Sequence, residues 1–353
     1  MSGVSLRLDL DRWRSHLRTV AEATPGIVPV AKGNGYGFGL GRLGAEATRL
    51  GVDTVAVGLA SEVAAVRAEF AGDVVIMTPW RPDDDRARSL LGDHSVITTV
   101  SRPEDLAAVI EAAGGSAPRV IIEVQTSMRR HGLRVEELPA VRGLLDRISF
   151  QGWMIHLPLL DDGRYLEAER LSRAALAVVS GTLWVSHLPA TEATTLARQL
   201  GGHTGDPVPM RLRVGTRLWL GDPGALTSEA TVLDVHRVRR GDRAGYRQKK
   251  ITRDGWLVVV AGGTAHGIGM EAPTPAASGR QRLVALAQGG LEATGRALSP
   301  YTIGGKKRWF LEPPHMQASL VLLPAAEQPP AIGDQLPVEL RLTTAVVDQV
   351  VEV

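Results

Sequence analysis

The chain of 353 residues is long enough for two domains of ordinary size, and its 44% hydrophobic and 22% charged residues suit a globular protein with a buried core. A formal net charge of +2 argues against a nucleic-acid partner, and the absence of cysteine excludes disulfides, thiolate metal sites and cysteine nucleophiles. No apolar run approaches the ~18 residues that cross a membrane, and residues 1–17 lack the apolar core of a signal peptide, so we expect a cytoplasmic protein without a membrane partner.

Short apolar runs alternate with helical patterns over the first two thirds of the chain. The runs are GIVPVAK (26–32), DTVAVGL (53–59), DVVIMT (73–78), SVITTV (95–100), RVIIEVQT (119–126), ISFQGWMIH (148–156), TLWVSH (182–187) and RLRVG (211–215). Helix-like stretches between them include RPEDLAAVIEAAG, RVEELPAVRGLLDR and YLEAERLSRAALAVV. Continuous apolar runs separated by helices indicate buried parallel strands. Eight such units predict a (β/α)8 TIM-type barrel, with an open doubly wound sheet as the alternative, because periodicity does not determine closure.

The pattern changes near residue 224. Short strand-like runs follow, separated by Gly, Pro and charged turns: EATVLDVHRVRR (229–240), WLVVVAGG (256–263), QRLVALAQ (281–288), ASLVLLP (318–324) and DQLPVELRL (334–342). They predict a smaller all-β domain over 224–353, after a barrel domain over 1–223. The opening segment VSLRLDL (4–10) is also strand-like and is a candidate strand of the β domain.

Lysine is rare in this chain. The lysines are Lys32 and the pairs 249–250 and 306–307, which lie in polar segments typical of solvated turns. Lys32 instead stands alone, directly after an apolar run. Arginine stays protonated, whereas lysine can lose its proton and bond covalently to a carbonyl carbon. The position indicates a chemical role, and a strand-end lysine that reaches solvent is the alternative.

The segment VPVAKGNGYGFG places Lys32 at the carboxyl end of the first predicted barrel strand, the face on which barrel enzymes carry their active sites. Glycines follow at alternate positions and would let the backbone approach a bound group closely. Tyr36 could offer its hydroxyl to a phosphate. The P-loop pattern requires lysine after glycine and before Ser or Thr, and the Rossmann pattern opens a helix at once, so neither fits.

AKGNGYGFG resembles the pyridoxal-phosphate lysine motif of alanine racemases, in which a tyrosine follows four residues after the lysine and precedes Gly-x-Gly. Later segments resemble further motifs of this family in the family's order. The resemblance implies that these segments supply the cofactor contacts: AKGNGYGFG with Lys32 and Tyr36, QTSMRRHG with Arg130, GWMIH with His156, SHLPATEATTLAR with Thr191, and RLRVGTRLWLG with Arg213. It implies pyridoxal 5'-phosphate as the cofactor and no metal.

The resemblance also covers the predicted β domain. RAGYRQ resembles the segment that carries the family's tyrosine base, which would be Tyr246, and HMQASLV resembles a motif with a methionine near the substrate, which would be Met316. Arg130 would contact the substrate as well. The implied reaction is racemisation of L-alanine to D-alanine, with Lys32 and Tyr246 serving opposite faces of the α carbon. In the family the tyrosine comes from the partner subunit, which implies a head-to-tail homodimer with shared active sites.

Plain structural roles are the alternatives for several of these residues. His156 would be a strand-end histidine whose ring nitrogens have hydrogen-bond partners within the protein. Thr191 would be a helix N-cap, and Tyr246 would be a surface turn residue. Met316 would serve only in packing.

The chain departs from the family around the substrate. Gln317 stands where the family has an aspartate, His315 replaces a cysteine, Glu123 replaces a lysine, and GTAHG, with Thr264 and His266, replaces Gly-Tyr-Ala-Asp-Gly. These departures keep two alternatives open: a homologue that acts on another amino acid, and a non-catalytic or regulatory protein that keeps the cofactor. Decarboxylases of this design need a cysteine, and metal-assisted aldolases need a histidine followed two residues later by Asp or Cys, and this chain has neither.

Overall fold

A computed structural model of the protein describes residues 2–159, 163–202, 206–270 and 297–353. The chain divides into two compact units, one formed by Met1–Trp13 with Asp222–Val353 and the other by Arg14–Gly221. The first strand, β1 (Val4–Leu8), belongs to the former unit, and helix α1 (Leu10–Glu22) contains the boundary between the two.

The unit 14–221 contains a parallel β-barrel. Its strands are β2 (Ile27–Pro29), β3 (Thr54–Val57), β4 (Asp73–Ile76), β5 (Val96–Val100), β6 (Arg119–Val124), β7 (Ser149–His156), β8 (Leu183–Ser186) and β9 (Met210–Val214). Each run that the sequence analysis identified contains one of these strands or overlaps it. They pair in the order β2-β9-β8-β7-β6-β5-β4-β3, with every pairing parallel.

A bridge between the ends of this order brings the barrel almost to closure. Val30 pairs in parallel with Ala56, and the N–H of Ala31 donates to the Ala56 carbonyl (2.8 Å). The interior is filled with apolar side chains from around the barrel: Val28, Val30, Ala56, Val75, Ile97, Ile121, Met154 and Trp184. An open sheet would leave β2 and β3 as two unpaired edges, so the bridge between them favours the barrel over the doubly wound alternative.

Helices cover the outside of the strands, as a barrel of alternating units requires. They are α2 (Leu40–Arg49), α3 (Val63–Arg67), α4 (Asp85–Ser89), α5 (Pro103–Ala112), α6 (Arg164–Val178), α7 (Ala190–Gly201) and α8 (Thr216–Leu220). The helix-like stretch 134–147 is instead a 3-10 segment, Val135–Arg147. Pro139 lies inside it, and a proline lacks the N–H and clashes with the carbonyl four residues earlier, which disfavours a regular α-helix. Among the helices that the structure describes, none is both long and apolar enough to cross a membrane.

The other unit is built on antiparallel strands. Its later strands are β10 (Leu226–Val238), β11 (Arg243–Ala244), β12 (Lys249–Lys250), β13 (Gly255–Ala261), β14 (Leu298–Ile303), β15 (Lys306–Phe310), β16 (Ala318–Pro324), β17 (Gln335–Pro337) and β18 (Gln349–Glu352). The main sheet follows the order β14-β15-β16-β13-β10-β1-β18, with β17 on β10 and a separate β11–β12 ribbon. Strand β1 lies antiparallel to β10 and parallel to β18.

Two details of this unit differ from the sequence-based interpretation. The lysine pairs 249–250 and 306–307 lie in strands β12 and β15 and not in turns, because each pair follows the tight turn of a hairpin. The predicted strand QRLVALAQ (281–288) lies outside the described residues.

Candidate active site

Several predicted site residues lie at the carboxyl ends of neighbouring barrel strands. Lys32 comes three residues after β2, Arg213 is the fourth residue of β9, and His156 ends β7. All strands of the barrel run parallel, so these ends meet on one face. Arg130 and Arg213 both lower the pKa of Lys32 and of His156, as positive charges close to these groups do.

The loop that carries Lys32 is held by Glu62. One carboxylate oxygen of Glu62 accepts from the Gly33 N–H (2.7 Å), and the other accepts from the N–H groups of Gly58 (2.7 Å) and Leu59 (3.0 Å). The carboxylate therefore ties the residue after Lys32 to the end of β3. The sequence offered no signal for this role, because Glu62 resembles any acidic residue at the start of a helix.

The amine of Lys32 is easier to deprotonate than that of an ordinary lysine. Partial burial lowers its pKa first, the nearby charges of Arg130 and Arg213 lower it further, and Glu62 opposes them. A lowered pKa increases the fraction of neutral, nucleophilic amine at a given pH. The repulsion among the three cations would also be relieved by an anionic ligand between them.

Tyr36 is buried beside the start of helix α8. Its backbone has a left-handed conformation (φ 56°), and its N–H donates to the side chain of Asn34 (3.1 Å). A Cβ on Gly215 would collide with the Tyr36 hydroxyl, so a larger residue there would displace the ring. Burial, with a smaller effect of Glu62, raises the pKa of Tyr36 to about 12, which keeps the phenol neutral and able to donate a hydrogen bond.

Arg213 is only 4% exposed and lies close to Glu123. Its Nη2 donates to the Ile155 carbonyl (3.1 Å), while its Nε has no hydrogen-bond partner among the described residues. Burial lowers its pKa to about 10, partly offset by Glu123, and Arg130 lowers it further. The guanidinium therefore remains charged at neutral pH, with one donor available.

Glu123 is the buried acid of the cluster. Burial raises its pKa, although the charges of Arg213 and Arg130 oppose this, and its Oε2 has no partner in the described part of the chain. Buried polar atoms without partners are rare in folded proteins and suggest that a ligand or water completes the site.

Two histidines lie side by side at the mouth of the barrel. The ring of His156 is 4.9 Å from that of His187, between centroids. Nδ1 of His187 is 2.8 Å from the Leu157 carbonyl oxygen, whereas the buried Nδ1 of His156 has no partner among the described atoms. Burial, followed by the charges of Arg213 and Arg130, lowers the pKa of His156 to about 2, so its ring is neutral. His187 was not among the residues predicted from the sequence, although its position directly after β8 matches that of His156 at the end of β7.

Arg130 and Thr191 are exposed residues on the same end of the barrel. Arg130 lies in the loop after β6, and the Thr126 hydroxyl of that loop donates to the His156 carbonyl (2.9 Å). Thr191 is the second residue of α7, whose N-cap is Pro189, so the interpretation of Thr191 as an N-cap is wrong. Its hydroxyl nevertheless lies in the first turn, where free N–H groups favour an anion.

The remaining predicted residues belong to the β unit. Tyr246 lies in the turn between β11 and β12 and is 83% exposed, and Met316 is 73% exposed. The Tyr246 N–H donates to Glu312 (2.8 Å), and its ring lies 4.2 Å from that of His315, between centroids.

Two segments that depart from the family motifs, 262–265 and 315–317, are hydrogen-bonded to each other in this unit. The N–H groups of Gly262, Thr264 and Ala265 donate to the carbonyls of Gln317, His315 and Met316, each at 2.9 Å. His266, where the family has an acid, is buried.

His266 has structural partners within the unit. Its Nε2 lies 3.2 Å from Asp348, and its Nδ1 accepts from the Gly263 N–H at 3.2 Å. These contacts within the β unit explain how a histidine is accommodated at the position where the family has an acid.

Comparison with known proteins gives the family of the chain. A family model described as alanine racemase, N-terminal domain, matches residues 8–218. The chain belongs to that family. An alanine racemase of Mycolicibacterium vanbaalenii is 28% identical over 289 residues, which cover 74% of this chain and 72% of the relative. A catabolic alanine racemase of Mesorhizobium japonicum is 26% identical over 69% of this chain and 67% of its own length.

Solved alanine racemases share the fold. The enzyme from E. faecalis has a TM-score of 0.70 at 20% identity, covering 100% of this chain and 98% of its own. The structure from Bartonella henselae, with covalently bound pyridoxal phosphate, has a TM-score of 0.71 at 16% identity and full coverage of both chains. The predicted family resemblance and the predicted barrel with a smaller β domain are therefore confirmed, while the individual site residues stay predictions.

Proposed function

We propose that this chain is a pyridoxal-phosphate-dependent amino-acid racemase, an isomerase of the alanine racemase type with alanine as the first candidate substrate. The relatives named alanine racemase support this function. The observation that carries it is the cluster at the carboxyl ends of the barrel strands, where a lysine of lowered pKa lies near two arginines and two histidines.

The side chains of this cluster suit the cofactor. Nδ1 of His156, Nε of Arg213 and Oε2 of Glu123 are buried without partners among the described residues, as expected of groups that await a ligand. The negative charge of the cofactor as a whole would reduce the repulsion between the cations, and the neutral Tyr36 phenol and the Thr191 hydroxyl are suitable donors to its phosphate. Lys32 would hold the cofactor covalently, and Arg213 would face its ring nitrogen.

Racemisation requires a proton to leave one face of the α carbon and another to arrive on the opposite face. Pyridoxal phosphate, when bound, withdraws electrons from that carbon and makes its proton removable. Lys32 serves one face, and its lowered pKa favours the neutral amine that accepts a proton. Arg213 remains protonated at neutral pH, so it would donate a hydrogen bond to the ring nitrogen of the cofactor and keep that nitrogen unprotonated. Arg130 would contact both cofactor and substrate.

Tyr246 serves the second face. It is 83% exposed in the single chain, which suits a residue that completes the site of another copy. We therefore propose a head-to-tail homodimer with two shared active sites, in which Met316 also approaches the substrate. The cytoplasmic location remains a prediction from the sequence, and a role in D-amino-acid supply is what the family resemblance implies.

The test begins with visible absorption and α-proton exchange. Purified protein loaded with pyridoxal phosphate should show the absorption band of a lysine-bound cofactor, and Lys32→Ala should lose it. Lys250→Ala, an exposed lysine on β12, is the matched control and should keep the band. L-alanine, D-alanine and other amino acids in heavy water should then lose the α proton and invert. A missing band in the unaltered protein would overturn the assignment of Lys32.

The substitutions in the β unit favour the alternative that the substrate is an amino acid other than alanine. His266 is held by Asp348 and Gly263, and Gln317 lacks the charge that the family has at its position. If the band forms and another amino acid inverts faster than alanine, the chain is a racemase for that amino acid. If the band forms and no amino acid exchanges, the chain is a non-catalytic cofactor-binding protein.

A further inference from the structure

Tyr246 is held at its backbone and its ring while most of the side chain is exposed. Its N–H donates to Glu312 Oε1 (2.8 Å), and the next N–H, that of Arg247, donates to Glu312 Oε2 (3.1 Å). Its ring packs against His315 with 4.2 Å between centroids and 36° between planes. An exposed tyrosine with only local turn contacts would sample several rotamers, whereas this stack restricts it.

Glu312 is the centre of this arrangement. It is buried and accepts from His315 Nε2 (2.7 Å) in addition to the two N–H groups of the turn. Burial alone would raise the pKa of Glu312, but the hydrogen bonds from His315, Arg247 and Tyr246 hold it below its usual value. The turn fits closely around the carboxylate, since a Cβ on Gly245 would collide with it.

His315 links the carboxylate to the ring. Its backbone N–H donates to the Ala318 carbonyl (2.9 Å), and its carbonyl accepts from the Thr264 N–H (2.9 Å), so its main chain is fixed just before β16. Its Nε2 is fixed by Glu312. The imidazole is therefore held both through its backbone and at Nε2, and its ring packs against that of Tyr246.

We propose that Glu312 and His315 are positioning residues that hold the Tyr246 ring in the orientation needed for proton transfer. The inference rests on the proposed function of Tyr246 and adds two residues to it. Small displacements of a reacting group are costly, since about 1 Å of misplacement can reduce a rate by about 100-fold. Loss of the stack should therefore slow proton transfer at the face of the α carbon that Tyr246 serves. Proton transfer at the face that Lys32 serves should be unaffected.

The experiment compares inversion with α-proton exchange in heavy water, starting from each enantiomer of the substrate. In His315→Ala, inversion should fall by about 10-fold to 100-fold. The enantiomer whose proton Lys32 removes should still exchange, so the exchange-to-inversion ratio rises. A general structural defect would lower both together. The absorption band of the lysine-bound cofactor, measured alongside, should be unchanged.

Two further variants separate the parts of the arrangement. His315→Phe keeps an aromatic ring and should restore part of the inversion, whereas Glu312→Gln should raise the ratio by weakening the anchor of both the turn and the histidine. His236→Ala is the matched control, because His236 also lies beside an acid of the β unit, Asp234, at 3.4 Å. It should leave the ratio unchanged.

The outcomes distinguish this inference from the proposed function. If Tyr246→Phe leaves inversion intact, the assignment of Tyr246 as a base is wrong and the inference falls with it. If Tyr246→Phe abolishes inversion while His315→Ala and Glu312→Gln keep the ratio of the unaltered protein, the positioning role alone is wrong. Should His315→Ala fail to fold, the ratio in His315→Phe and Glu312→Gln decides.

Discussion

The charge state of Lys32 depends on neighbours that are remote in the sequence. Burial, Arg130 and Arg213 together lower its pKa from the usual 10.5. A base with a lowered pKa is neutral at a lower pH, so in the cofactor-free protein the acetylation of Lys32 should reach half its maximal rate below pH 10.5. In Arg130→Ala this midpoint should move upward, because one repelling charge is gone. Mass spectrometry of the peptide that contains residue 32 gives the midpoint, and an equal midpoint in both proteins would contradict the coupling.

We expect Glu123 to make the stability of the cofactor-free protein depend on pH. Its pKa is raised above the usual 4.5, mainly by burial, so the folded state holds its proton to a higher pH than the unfolded state does. The contribution of this group to stability is therefore complete below pH 4.5 and declines as the pH rises through the folded-state pKa. Glu123→Gln should remove that decline.

Urea unfolding of both proteins at several pH values tests this expectation. The free energy of unfolding of the unaltered protein should fall relative to that of Glu123→Gln as the pH rises above 4.5. A constant difference between the two would show that the carboxyl does not titrate abnormally.

At the scale of elements, the Lys32 loop is positioned by a link between strands β2 and β3. Glu62 accepts three backbone hydrogen bonds from residues in the loops that follow these two strands. Glu62→Ala should lower the free energy of unfolding by about 1–3 kcal/mol, since hydrogen bonds to a charged group are among the stronger ones but Glu62 is only half-buried. It should also weaken pyridoxal phosphate binding, because the Lys32 loop loses its anchor.

Urea unfolding and a cofactor titration followed by absorption measure the two effects. Glu69→Ala, an exposed glutamate shortly after α3, is the matched control. If both variants behave alike, the carboxylate of Glu62 has no special part in holding the loop.

At the scale of the whole molecule, the proposed shared sites can be tested by complementation. Lys32→Ala and Tyr246→Phe should each be inactive. When the two are co-expressed, a hybrid dimer would combine Lys32 of one chain with Tyr246 of the other and contain one intact site. Random pairing should then restore about a quarter of the full activity.

The same experiment can refute the shared site. If Lys32 and Tyr246 act within one chain, no hybrid contains an intact pair and no activity returns. Sedimentation analysis of the unaltered protein provides the control, because a monomer would also exclude the shared site.

The barrel strands were predictable because each is a local run of apolar residues, and such a run depends only on neighbours along the chain. The positions of the candidate residues Lys32, His156 and Arg213 at strand ends could be inferred for the same reason. The 3-10 conformation of the segment 135–147 could not be predicted from the sequence. The effect of Pro139 on a helical pattern depends on whether packing compensates for the missing hydrogen bond.

Other features depend on contacts between residues far apart in the chain. The near closure of the barrel through Val30 and Ala56, the anchoring of the Lys32 loop by Glu62, and the stack of His315 on Tyr246 all arise only when distant segments meet. The pKa values of Lys32 and Glu123 follow from burial and from charges brought near by folding. Local patterning therefore determines the strands and the residue types available for chemistry, whereas three-dimensional packing decides which of them meet and in which charge state, because electrostatic and hydrogen-bond energies depend on distance in space and not on separation along the chain.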